Sequence, residues 1–320
     1  MENVKNGWKR IPPFIEITSD QFVTWFPQFS QMPVDLKLIE QGLSNTHYLV
    51  HADKDYILRC MRDNTKYQIE LQIIAMLDHY IPVPSIVDQE DQSEYHLYLM
   101  DVIAGQPMVT IQLNKDRKSH LFHVAGRILS NIHSFTFDQA GFFDDSLNIA
   151  TPLEISEDSI VEVFDSVMND AVCRKLEILV TPIQSVVREL AFILDSIDNE
   201  VVLVHGDYNP PNIMVDGFDI TGIMDWEFAF ANSRYFDIGN FLRLEEDLNA
   251  NHVQRFVSTY EQYWGHHLPE NWKLIIRLFD LLSLLTMIER SPDDSSRLHD
   301  LTQLIMRYLQ EMLDFLHNSS

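Results

Sequence analysis

Two adjacent prolines, Pro210 and Pro211, sit inside the run VHGDYNPPNIMVDG (residues 204–217) and limit what this part of the chain can become. Each removes a backbone N–H and fixes its own φ, so the segment is neither helix interior nor central strand. An acid and an amide flank the pair, Asp207 and Asn212, five positions apart. Upstream, the apolar VVLV at 201–204 reads as a short strand that delivers His205, Gly206 and Asp207 to its end. Downstream, NIMV at 212–215, the turn pair Asp216-Gly217 and DITGIMDW at 219–226 read as a hairpin. That hairpin returns Asp225 towards Asn212, so three oxygen-bearing side chains gather at one edge of a small sheet. Hard oxygen ligands in that number suit Mg²⁺, which keeps waters and shares its remaining positions with phosphate oxygens.

Around this loop the chain divides by character. Residues 36–50, LKLIEQGLSNTHYLV, read as two strands about a Gly-Leu-Ser-Asn turn, and DYILRC (55–60) and YHLYLMDV (95–102) as two more. Between them TKYQIELQIIAMLDHY has helical spacing, with Tyr67, Ile74, Leu77 and Glu70 on one face, until IPVPSIV at 81–87 breaks it. After Gly105 helices dominate: Leu121, Ala125, Ile128 and Ile132 mark a long one, 183–197 another, and Leu301 to Leu316 a terminal one. A single β interruption is expected, at 201–226. The reading is α+β with two parts, residues 1–101 and 102–320, and therefore a cleft between them. The apolar fraction of 46% and charged fraction of 22% over 320 residues are those of a globular protein with a substantial core. The N-terminus MENVKNGWKR lacks a signal peptide's apolar stretch and no run reaches the length of a membrane span, so a cytoplasmic place is expected. Only Cys60 and Cys173 are present, so no disulfide framework is indicated. A net charge of −25 argues against nucleic acid as a partner and favours a cationic small molecule.

An Asp separated by four residues from an Asn also matches the catalytic loop of protein kinases, where the Asp faces the substrate hydroxyl and the Asn holds metal. With Gly after the His and Trp after the later Asp, HGDYNPPN followed by GIMDWE and YFDIGN resembles the core signature of the aminoglycoside phosphotransferase and choline kinase-like family. The likeness extends more weakly through IPVPSI, LMDVIAG and LSNIHS, and the ordered set is far more specific than any piece. It implies a two-lobed, protein-kinase-like fold: a small antiparallel sheet lobe and a larger, mainly helical one. The implied activity is transfer of the γ-phosphate of ATP to a hydroxyl of a small molecule, with Mg²⁺ required and GTP left open as donor. Asp207 would orient the acceptor hydroxyl and take its proton, while Asn212 and Asp225 would hold Mg²⁺. Asp237 would accept hydrogen bonds from the catalytic-loop backbone, and His205 would fill space beneath it. Aminoglycosides, choline or ethanolamine, homoserine, macrolides and nucleoside-like metabolites are all acceptors compatible with the likeness. A regulatory or interaction protein that binds nucleotide without transfer is the rival, disfavoured because it has no need of all three polar residues.

In the first lobe, Ile57 and Arg59 alternate onto one strand face, which would set an apolar side chain against adenine and a cation near the phosphates. Glu70 on an apolar helix face needs a partner, and Arg59 is the candidate; snorkelling to solvent is its plainer alternative. The phosphate-covering turn is glycine-poor, with Gly42 alone, so Ser44 and Asn45 would supply donors. Met100, Asp101 and Val102 would connect the lobes and reach the adenine edge. Glu245, Glu246 and Asp247 follow the helix that begins near Asp237 and would attract a cationic acceptor, or else form a solvated helix end. His120, His123 and His133 form no metal-ligand pattern and read as packing or surface residues.

Overall fold

The first hundred residues build a sheet whose two faces are covered by different parts of the chain. The computed structural model describes residues 10, 12–40, 42–111, 114–198, 200–243, 249–293 and 295–319. Helix α1 (Ser19–Trp25) opens on a capping box in which Thr18 Oγ1 accepts from the Gln21 N–H at 3.2 Å and Gln21 Oε1 accepts from the Thr18 N–H at 2.9 Å. Strands β1 (Asp35–Ile39), β2 (Thr46–His51) and β3 (Asp55–Met61) run antiparallel, followed by α2 (Asn64–Leu77), β4 (Ile86–Asp91) and β5 (His96–Asp101). The sheet order is β1-β2-β3-β5-β4. Strand alternation sends Tyr56, Leu58 and Cys60 to one face, where Phe22, Phe26 and Phe29 cover them. Ile57 and Arg59 point to the other, towards α2. Neither α1 nor β4 was expected. The TSDQ capping signal was available for the first, but β4 alternates half-buried with exposed residues and has no apolar run to reveal it.

After β5 the chain passes Gly105 (φ +98°), where a Cβ would lie 2.2 Å from the Val215 carbonyl oxygen. Only glycine admits that approach. It lets β6 (Gln106–Pro107) pair with the hairpin made later in the chain. Helix α3 (Lys115–Ile132) follows, then β7 (Thr136–Phe137), β8 (Gly141–Phe143), β9 (Ile149–Pro152), α4 (Ile160–Val167), α5 (Asp170–Leu176) and α6 (Val180–Leu190). The helix expected at 183–197 is thus α6 ending in a tighter 3₁₀ turn over Ala191–Ser196.

Strand β10 (Val201–Val204) leads to the hairpin of β11 (Ile213–Asp216) and β12 (Asp219–Ile223), and β13 (Phe230–Asn232) closes this stretch. The expectation of one β interruption is corrected here. β7, β10, β13, β8 and β9 form a sheet in that order, and β12, β11 and β6 form another. Strands of two to four residues are too short to carry a period-2 signal. Helices α7 (Tyr235–Phe241), α8 (Ala250–Trp264), α9 (Trp272–Glu289) and α10 (Ser296–Ser319) complete the second lobe, with α8 against α3 and α9 against both α7 and α10. No helix among the described residues is long and apolar enough to cross a membrane.

Candidate active site

β10 is apolar and buried through Val202, Leu203 and Val204, so it anchors the loop that follows it. Gly206 turns the chain at φ +79°. Asp237, fully buried on α7, accepts from the His205 N–H at 2.7 Å with one oxygen and from the Gly206 N–H at 3.0 Å with the other. The His205 ring is tied at both nitrogens: Nε2 donates to the Met224 carbonyl at 3.0 Å, and Nδ1 accepts from the Asp207 N–H at 3.2 Å. Those two bonds select the Nε2-protonated tautomer. The ring also packs on Trp226, with centroids 4.3 Å apart.

The two prolines place Pro210–Asn212 in a 3₁₀ turn, and its amides close on the acid. Asn212 Nδ2 donates to the Asp207 carbonyl oxygen at 2.9 Å and to its Oδ2 at 2.8 Å, while Asn209 Nδ2 donates to Oδ1. The Met224 N–H donates to the Asn212 carbonyl at 2.9 Å, which brings Asp225 alongside Asn212. Asp207, Asn212 and Asp225 therefore stand together. Asp225 adopts left-handed backbone, φ 64° and ψ 58°, a conformation that costs a non-glycine residue about 1–3 kcal/mol and clusters at functional sites.

Across the cleft, Arg59 is 3% exposed and meets three carboxylates. Its Nε lies 3.1 Å from Glu70 Oε2, its Nη1 donates to Asp225 Oδ1, and its Nη2 is 3.6 Å from Glu227 Oε1. Glu70 Oε1 also accepts from the Trp226 N–H at 3.2 Å, so α2 is bound to the turn that carries Asp225. Burial pushes the Glu70 carboxyl up to about 7 against the pull of Arg59. Burial also depresses His47, helped by the neighbouring Arg59 cation, to about 4, and the His47 Nε2 accepts from Arg59 Nη1 at 3.2 Å. Ile57 and Met100 are direct cross-strand partners and share one apolar patch with Ile86, whereas Val102 is 45% exposed.

Ser44 and Asn45 lie in the turn between β1 and β2. The Asn45 side chain reaches across the cleft, its Nδ2 donating to Glu227 Oε1 at 2.8 Å. Glu227, which also receives Lys66 Nζ at 3.4 Å, was missed from sequence. The signal was present: an acid inside the apolar run WEFAF must find a partner if buried. His133 was read as a packing or surface residue; it is buried and serves the loop. Its Nε2 lies 3.2 Å from Asp237 Oδ2 and its Nδ1 is 2.8 Å from the Tyr260 hydroxyl, which in turn accepts from Arg234 at 2.9 Å. Glu245, Glu246 and Asp247 lie outside the described residues.

No group of three or more His, Cys, Asp or Glu side chains suited to a metal occurs among the described residues. What the site offers a cation is the Asp225 carboxylate and the Asn212 amide oxygen. That small oxygen set fits Mg²⁺ shared with phosphate.

The sequence model described as "Phosphotransferase enzyme family" matches residues 35–274. A homoserine kinase of Zymomonas mobilis is 21% identical over 275 residues, covering 80% of this chain and 80% of the relative. An aminoglycoside 3'-phosphotransferase of Niallia circulans is 25% identical over 178 residues, covering 54% of this chain and 63% of the relative. Among solved structures, a thermostable mutant of an aminoglycoside phosphotransferase in ternary complex with ADP and hygromycin B superposes with a TM-score of 0.67 at 16% identity, over 92% of this chain and 98% of the other. A macrolide 2'-phosphotransferase from Brachybacterium faecium superposes with a TM-score of 0.62 at 17% identity, over 84% and 91%. The expected two-lobed, protein-kinase-like α+β fold is therefore the fold of this protein. With most of its length matched, the chain belongs to the phosphotransferase enzyme family and is a small-molecule kinase.

Proposed function

We propose that the protein moves the γ-phosphate of ATP, as its Mg²⁺ complex, to a hydroxyl of a small molecule seated beside Asp207. The observation that carries this reading is the direct bonding of Asn212 to Asp207 with Asp225 alongside, one rigid edge bearing an acid, an amide and a second acid. Residues 1–101 hold the nucleotide and 102–320 hold the acceptor and the chemistry, in the cytoplasm. Adenine lies against Ile57 and Met100, with Val102 at the connecting edge. Arg59, braced by Glu70, faces the phosphates, and Ser44 and Asn45 cover them.

Asn209 and Asn212 each donate to one Asp207 oxygen and fix the carboxylate plane. The Asp207 carboxylate accepts the acceptor's O–H. That oxygen attacks the γ-phosphorus as its proton passes to Asp207, and the bond from the γ-phosphorus to the bridging oxygen breaks to release ADP. Positioning supplies most of the acceleration in such a transfer. Asn212 and Asp225 would hold Mg²⁺, which would supply neutralisation of the charge on the phosphate oxygens. His205 and Asp237 keep the loop in place.

For the acceptor, the net charge of −25 favours a cation. The test is Mg-ATP-dependent ADP release with homoserine, choline, an aminoglycoside and a macrolide. One acceptor should stimulate turnover, and Asp207→Asn should lower it by roughly 10²–10⁴ while nucleotide still binds. Asp225→Ala should abolish stabilisation by Mg-ATP. Equal turnover by wild type and D207N would remove the assignment.

A further inference from the structure

The turn between β1 and β2 has one glycine, Gly42, and it is held from outside by side-chain bonds. Arg10, which precedes the matched region 35–274, supplies them. Its Nη1 donates to the carbonyl oxygens of Asn45 at 2.7 Å and Gly42 at 3.3 Å. Its Nη2 donates to the Ser44 carbonyl at 3.0 Å and to Thr46 Oγ1 at 3.1 Å, and its Nε to the Pro12 carbonyl at 2.7 Å. All five N–H donors of the guanidinium are thereby used. Phe14 lies under the group, 4.3 Å from its carbon, and Thr46 Oγ1 also accepts from the Ile15 N–H at 3.0 Å. The segment before α1 is thus sewn to the turn.

The consequence is directional. Three carbonyl oxygens of the turn are drawn to Arg10, where their partial negative charge is neutralised. The Asn45 side chain points the other way, to Glu227 in the turn that follows Asp225. Cations also collect here although the chain carries a net charge of −25: burial depresses Arg10 and the nearby Arg62 cation adds to it, and Arg59 and Lys66 flank Glu227. A turn with its carbonyls withdrawn, beside a cluster of cations, suits an anion.

We propose that Arg10 is a positioning residue for the nucleotide phosphates, clamping the 42–46 turn from outside in place of the usual glycines. The inference rests on the nucleotide-binding reading above. A lysine cannot replace the clamp, because its point charge lacks the planar fork that spans four acceptors of the turn.

The test is calorimetric binding of Mg-AMP-PNP and of adenosine to wild type, Arg10→Ala and Arg10→Lys. Both variants should bind AMP-PNP about tenfold more weakly, the worth of roughly one lost ordered contact, and adenosine as wild type does. Should R10A fail to fold, Phe14→Ala loosens the same clamp and should show the same split at about threefold. Unchanged AMP-PNP affinity in R10A, an equal loss for both ligands, or full rescue in R10K overturns the proposal. Wild type that binds neither ligand sinks the nucleotide reading itself, and this proposal with it.

Discussion

Gly206→Ala is the substitution whose cost can be worked most directly from the geometry. Gly206 stands at φ +79°, and a Cβ there would lie 2.4 Å from the Phe228 carbonyl oxygen, where ordinary contact begins at 3.4 Å. The alanine therefore demands that the 205–207 loop and the 226–228 turn part by about 1 Å. The loop resists through the two bonds from its backbone to Asp237, and the turn resists through the Trp226 N–H on Glu70. Left-handed backbone costs alanine about 1–3 kcal/mol, and overpacking against a fixed carbonyl adds a similar amount. Stability should fall by about 2–6 kcal/mol in chemical denaturation. Whichever segment yields, Asp207 and Asp225 change their separation, since each is one to three residues from the clash. A misplacement near 1 Å lowers turnover on the order of 10²-fold. Mg-nucleotide affinity should fall as well where the 226–228 turn yields, because Asp225 bonds Arg59 and the Trp226 N–H bonds Glu70, whereas adenosine affinity should hardly change, since the Ile57–Met100 patch is untouched. The assay is ADP release at saturating Mg-ATP, at a temperature where circular dichroism shows the variant folded. A folded G206A with wild-type kcat and an unshifted denaturation midpoint would refute the claim that this approach sets the register of the two acids.

Two further outcomes follow from the cleft. Arg59→Ala and Glu70→Ala should be non-additive in Mg-AMP-PNP affinity, with a coupling above about 0.5 kcal/mol, because each removes the same buried contact; an additive cycle would mean the pair contributes nothing to binding. His47 is held at about 4 against an ordinary 6.5, so as pH falls the unfolded chain takes its proton before the folded one does. Its stabilising contribution is present above 6.5 and is lost as pH drops towards 4, a change of about 3 kcal/mol. Arg59 on β3, Asp225 beyond the hairpin and Arg10 before α1 are the charges it senses. His47→Gln should therefore lose less stability than wild type between pH 7 and pH 4, as read by urea denaturation; parallel curves would show that the ring is protonated as easily in the fold as out of it.

What could be read from the sequence was what the chain encodes locally. The prolines, the Asp216-Gly217 turn signal and the apolar strands on either side lie within a few residues of one another, and pairing Val215 with Ile220 follows from turn chemistry, although the register shift between Met214 and Val215 that sets Ile213 opposite Ile223 does not. The same holds for Ile57 and Arg59, which strand alternation puts on one face whatever surrounds them. Legibility ended where a contact joins distant segments through a short element or a single side chain. The sheet of β7, β10, β13, β8 and β9 is built from strands of two to four residues in 136–232, each too brief for a pattern and stable only when paired. His133 sits at the end of an apolar helix, and nothing near it in the chain announces that its partner, Asp237, is 104 positions away.

Arg59 shows the boundary most sharply. That a cation belongs on β3 opposite an α2 carboxylate follows from burial, since neither charge can be left unpaired out of water. That the cation is arginine rather than lysine is a further fact of the sequence, and arginine is not equivalent to lysine. The geometry gives the difference a physical meaning. A lysine ammonium is a point charge, whereas the guanidinium fork presents separate edges, and here those edges face Glu70, Asp225, Glu227 and the His47 ring. One side chain thus ties β3 to α2, to the acid expected to hold metal, and to the residue that contacts the phosphate-covering turn through Asn45. The same reach gives Glu227 its place: with Glu70 it is buried against the guanidinium, and both carboxylates share its charge with the partly exposed Asp225. On the reading proposed above, Mg-nucleotide entering this cleft would take Asp225 from Arg59, and the phosphates arriving with the metal would be what the guanidinium gains in exchange.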